Sequence, residues 1–269
     1  LHRIYKKTHL GCAENKYLGN LALTKTKLTI FDVLVDDIAD NIKLRDKELL
    51  RRLVNLPWEN NQDSLANGYY AACKKIWRDC LNSIEEYPRF REFEEIFYFD
   101  IKQVMNAMEF SSLINTYTFA DNLIENNEYG HHGVMVILHG MMDIMCSINF
   151  DRKELGKTRE LLHLAQKVAC MGNMLNTYPR EIIERDISSP ILTYAITKEN
   201  LNLFNNSLRE DTLSKLKVLE GKFNEEVMNI FEEMQKYEGT IKSVNVKKFC
   251  KNAQWAYNMF KKRGKYWEK

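Results

Sequence analysis

Only 4 prolines and 11 glycines interrupt this 269-residue chain, so it must be built from long elements. The spacing of its apolar residues says which kind. One series runs Leu18, Leu21, Leu28, Phe31, Leu34, Val35, Ile38; another runs Leu216, Leu219, Phe223, Val227, Ile230, Met234, Tyr237. Both follow the three-and-four spacing that gathers side chains on one face of an α-helix. No stretch shows the strict alternation of a half-buried strand. Turn signals fall at 55–64, 85–90, 126–133, 148–156 and 185–190. No linker, repeat or low-complexity segment divides the chain, so the expectation is an all-α fold with residues 1–269 as a single domain.

Composition narrows the class of partner. The net charge is +2 and no basic stripe carries interleaved aromatics, which sets nucleic acid aside. No apolar run approaches the roughly 20 residues of a membrane span. The six cysteines (Cys12, Cys73, Cys80, Cys146, Cys170 and Cys250) form no CxxC pair and read as reduced thiols in a cytoplasmic setting. The sequence starts at Leu1 rather than methionine, which leaves open a longer native N-terminus and makes its start no guide to targeting.

Two polar motifs stand out against this background. In FDVLVDDIADN, Asp36, Asp37 and Asp40 follow an apolar run, and Asp32, Asp36 and Asp40 recur at the four-residue interval that stacks them on one helix face. Clustered carboxylates beside apolar surface are costly unless a cation neutralises them. In GNMLNTYPREIIE, Asn173, Thr177 and Glu181 repeat the same interval with an amide, a hydroxyl and a carboxylate. Two such rows facing each other suit hard divalent cations, which take oxygen ligands and share them with phosphates. Pro179, between Thr177 and Glu181, removes a helical hydrogen bond to Leu175 and is expected to kink the second row.

These motifs resemble those of class I terpene synthases. The first matches DDxxD; the second is similar to Asn-Asp-x-x-Ser-x-x-x-Glu, with Met174 in the aspartate position and Thr177 in the serine position. Asp36 and Asn173 stand 137 residues apart, a separation like the family's. The resemblance implies a helical bundle around an apolar cavity and three Mg²⁺ ions held by Asp36, Asp37, Asp40, Asn173, Thr177 and Glu181. It also implies diphosphate contacts from Arg180 and from a C-terminal basic-tyrosine pair, here Lys265-Tyr266 with Arg263 nearby. The arginine that senses diphosphate in the family has no counterpart in NNEYGHHG, so His131 and His132 are the expected substitutes. Phe31 and Trp255 are the expected aromatic cavity walls.

The expected activity is cyclisation of a linear isoprenyl diphosphate, by a monomer or homodimer, to a hydrocarbon or alcohol with release of pyrophosphate. A prenyltransferase of the same fold would need a second aspartate-rich motif, and Asp36-Asp37 is the single Asp-Asp pair in the chain. A helical protein that has lost activity is the non-enzymatic alternative. The sequence names no general base.

Overall fold

The computed structural model of the chain describes residues 1–41, 43–59, 68–204 and 210–263, the last three by backbone alone. Among them all regular elements are helical. They are α1 (His2–Tyr5), α2 (Leu18–Asp40), α3 (Lys47–Asn55), α4 (Gly68–Glu85), α5 (Phe90–Thr116), α6 (Leu123–Tyr129), α7 (Val136–Met145), α8 (Leu155–Glu184), α9 (Pro190–Thr197), α10 (Glu210–Gln235) and α11 (Val246–Arg263). The first apolar series falls on α2 and the second, up to Met234, on α10, with Tyr237 just past its end; the turn signals at 85–90, 126–133, 148–156 and 185–190 fall at helix ends, and part of 55–64 lies outside the described residues. No described helix is long and apolar enough to cross a membrane.

Local chemistry sets the boundaries. The Asp46 carboxylate accepts from the Leu49 backbone N–H at 3.0 Å and starts α3. Asn122 does the same for α6 through the Glu125 N–H at 2.9 Å. At the end of α8, Arg185 adopts a left-handed φ of 59°. The Asp186 N–H then reaches back to the Glu181 carbonyl at 2.9 Å, closing the helix and turning the chain sharply.

The short helix α7 lies at the centre. All residues from Ile137 to Met145 are buried, as expected of a helix apolar on every side, and α2, α5 and α8 pack around it. Gly140 permits the closest of these approaches: a Cβ there would stand 2.5 Å from both Leu162 methyl carbons on α8. Gly140→Ala is therefore expected to cost about 1–3 kcal/mol through overpacking. Urea unfolding checks this, and an unchanged midpoint would show that α7 and α8 can separate freely.

Two polar side chains enter the interior from α7. Asp143 is 1% exposed and pairs with Lys25 of α2, itself 2% exposed, whose ammonium donates at 2.5 Å. The second Asp143 oxygen accepts from the Leu10 N–H at 3.0 Å. His139 is the other, and it has no such partner. Across the bundle, the segment after α1 is tied to α11: the Asn252 amide donates to the Lys7 carbonyl at 2.7 Å, and the Lys7 ammonium lies 3.9 Å from the centre of the Trp255 ring.

Candidate active site

Beside α7 lies a cavity of about 440 Å³, bounded by α1, α2, α5, α8 and α11 and by the segments before α7 and α9. Small-molecule sites occupy roughly 300–1,000 Å³. Its apolar wall includes Met108 and Phe110 of α5, Leu162 and Val168 of α8, and Tyr257 and Phe260 of α11. Its polar wall holds Asp32, Asp36, Asp37 and Asp40 from α2, and Asn173, Arg180 and Glu181 from α8. The two rows, far apart in sequence, face one space. On α8, Asn173 and Leu162 are eleven residues apart, about 16 Å along the helix, so polar and apolar walls occupy different turns.

The expected kink at Pro179 does not keep Asn173 and Glu181 from the same cavity. Pro179 is exposed, and α8 continues through it to Glu184. Glu181 is 6% exposed and reaches the cavity with one carboxylate oxygen, Oε2, lacking any hydrogen-bond partner. Thr177 is not on the cavity wall; its hydroxyl donates to the Asn173 carbonyl at 3.0 Å. It stays near enough to Glu181 to favour the ionised carboxylate.

Burial without a counter-ion governs the electrostatics here. Desolvation first, then the charges of Asp186 and Asp37, push Asp36 up to about 6; a hydrogen bond with Asp40 and the Arg180 charge act the other way. Asp32 and Asp40 sit well above the ordinary carboxylate range, from burial and then from the neighbouring Asp36 charge. Burial and then Asp186 raise Glu181 to about 7. Asp32 Oδ1, like Glu181 Oε2, has no partner.

Glu181 carries a direct consequence for stability. Below its ordinary value of 4.5, folded and unfolded chains both hold the proton. Between there and about 7 the unfolded chain releases it first, so the folded state loses stability as pH rises through that window. At about 1.4 kcal/mol per pKa unit the loss is on the order of 3 kcal/mol at most. Melting temperature should fall from pH 4.5 to 7 with a smaller slope in Glu181→Gln; identical slopes would place Glu181 in solvent.

Several residues that hold this site together carry no motif. Ser111 of α5 hydrogen-bonds the Asp40 carboxylate. Asn115 donates to Asp186 at 2.8 Å and accepts from the Ile187 N–H at 2.8 Å, anchoring the turn after α8. Arg45 donates to the Asn115 carbonyl at 2.9 Å and to the Asp40 carbonyl at 3.4 Å, joining the C-terminal ends of α2 and α5. Asp186, on the cavity wall beside Asp36 and Glu181, follows the second motif directly and was legible there as an acid at a helix break. Arg45 and Asn115 gave no signal, because their positions depend on packing between distant segments.

The donor set is all oxygen, carries excess negative charge and leaves two buried oxygens unpaired, which fits a hard cation. Among the described residues, no three His, Cys, Asp or Glu side chains converge as a ready-made cage. Magnesium is commonly held by one or two carboxylates, with substrate phosphates and water completing its shell. The open rows on α2 and α8 leave room for that division of ligands.

Other expected site residues lie elsewhere. Phe31 is buried against Trp77 of α4, ring centres 5.5 Å apart, and is not on the cavity wall. At 100° per residue it sits about 140° around α2 from Asp36, whereas Asp32 sits about 40° away. Trp255 likewise faces Lys7, while Phe249, Ala253, Ala256, Tyr257 and Phe260 present the cavity face of α11. His131 and His132 stack on each other, centres 4.3 Å apart, beside His163. Burial, then a neighbouring histidine, lowers both to about 4, so at neutral pH they offer no positive charge. Gly130 and Gly133 of their segment line the cavity in their place. Lys265, Tyr266 and the Arg263 side chain lie outside the described residues. Compared with known proteins, the sequence matches no family model and no curated protein.

Proposed function

We propose that the protein is a magnesium-dependent terpene cyclase that ionises an isoprenyl diphosphate and cyclises the resulting allylic cation, releasing pyrophosphate. The observation that carries this reading is the meeting of two oxygen rows, from α2 and α8, on one largely apolar cavity. Asp36, Asp37 and Asp40 would hold metal from one side, and Asn173 and Glu181, with Thr177 beside it, from the other. Magnesium bound there with the diphosphate supplies the positive charge that makes it a leaving group. Arg180, exposed at the cavity and 3.3 Å from Glu184, is free to swing toward a phosphate and add charge of the same sign.

The apolar wall serves the other half of the reaction. A carbocation survives only where water is excluded, and the faces of Phe110, Tyr257 and Phe260 are attractive to cations. Purified protein incubated with geranyl, farnesyl or geranylgeranyl diphosphate and Mg²⁺ should release pyrophosphate with a hydrocarbon or alcohol detected by mass. Chelation of the metal should stop it. Failure with all three substrates would overturn the reading. A longer prenyl diphosphate formed on adding isopentenyl diphosphate would assign chain elongation instead.

A further inference from the structure

The most buried helix of the bundle carries two polar side chains inward, and only one is accounted for. Asp143 is fully engaged by Lys25 and Leu10. His139, one turn earlier on the same face, is 6% exposed and lines the cavity, and its Nε2 has no hydrogen-bond partner. Tyr5, whose ring touches it, directs its hydroxyl elsewhere. Thr29 donates its hydroxyl hydrogen to the Lys25 carbonyl at 2.9 Å. The Tyr5 hydroxyl, 2.6 Å from Thr29, must therefore donate to that oxygen. The Tyr5 ring meets His139 edge to face, centres 4.7 Å apart, and fixes its orientation.

An unpartnered polar group in such a place is costly, and a leucine would pack there without that cost. We propose that His139 is the cavity base that ends the reaction inferred above, an assignment that rests on that reading. The unprotonated ring nitrogen takes a proton from the carbon next to the cationic centre. The C–H electron pair becomes the new C=C bond, the cation is discharged, and the imidazole becomes imidazolium. Burial and the nearby Lys25 charge keep His139 neutral beforehand, so its lone pair is available. A carbocation is acidic enough that even a weakly basic imidazole deprotonates it. The imidazolium, disfavoured in that setting, then passes the proton to the departing diphosphate.

The test uses whichever of the three prenyl diphosphates the native protein consumes. His139→Leu removes the nitrogen at nearly constant volume and should fold at least as stably. Among its products the ratio of alkene to alcohol is expected to fall at least tenfold. His139→Ala should behave alike, and added imidazole should restore alkene in proportion to its neutral form, so that rescue fades as pH drops below 7. Cyclopentene, similar in size but without nitrogen, should not rescue. An unchanged product ratio in active His139→Leu, or equal rescue by cyclopentene, would overturn the assignment alone. No pyrophosphate from the native protein with any substrate would bring down the proposed function and this base with it.

Discussion

Asp36→Ala should release pyrophosphate about a thousandfold more slowly than the native protein, with no loss of helical content. Asp36 stands between Asp32 and Asp40 on one face of α2, and its charge interacts with Asp37, Asp186 and Arg180. Removing one strategically placed group that stabilises developing charge typically costs a factor of about 10²–10³, and a metal ligand belongs at the upper end. Stability should move the opposite way. The substitution deletes a partly buried carboxylate that already repels its neighbours, so the melting temperature of the metal-free protein should hold or rise. Near-native turnover would remove Asp36 from the metal site, and a lowered melting temperature would mean that its role is structural.

The largest effect on stability is expected at the other end of the cavity. Lys25→Met leaves Asp143 deep in the bundle with only the Leu10 N–H as a partner. Breaking a buried ion pair from one side costs about 3–5 kcal/mol, chiefly because the remaining charge is uncompensated. For a chain of this size that corresponds to a fall of roughly 10 °C in melting temperature. The double substitution Lys25→Met with Asp143→Leu should recover most of the loss, since an apolar pair of similar volume carries no desolvation cost. A single-variant loss below about 1 kcal/mol would mean that water reaches Asp143.

What could be read from the sequence follows from how far apart the deciding residues lie. The apolar period of α2 gave the helix, and the four-residue spacing of its aspartates gave the face that meets the cavity. Phe31 is expected on the wall only through the family resemblance, and the helical wheel turns it about 140° away from Asp36. The same wheel separates Trp255 from Tyr257 and Phe260. Lys25 is different: by local pattern it is a polar residue on a surface helix. Its burial is decided by Asp143, 118 residues away. Arg45 and Asn115 owe their positions to contacts between α2, α5 and the turn after α8. His139 was hidden for a related reason, because a lone histidine in an apolar run carries no sign of whether packing will supply a partner.

The tie between the segment after α1 and α11 bears on the order in which the molecule takes shape. The Asn252–Lys7 contact spans 245 residues, and Tyr5, two residues before Lys7, and Tyr257 of α11 both line the cavity. The entropy of closing a loop must be spent before such a contact returns anything, so interactions local to α2, α5 and α8 can form while this one is still open. The carboxylate rows would then gather around a trough with one side missing. Only when the N-terminal segment meets α11 does the trough become an enclosed chamber, so a chain lacking either would present its carboxylates to water. The seam between the N-terminal segment and α11 thus acts as the finishing joint of the chamber.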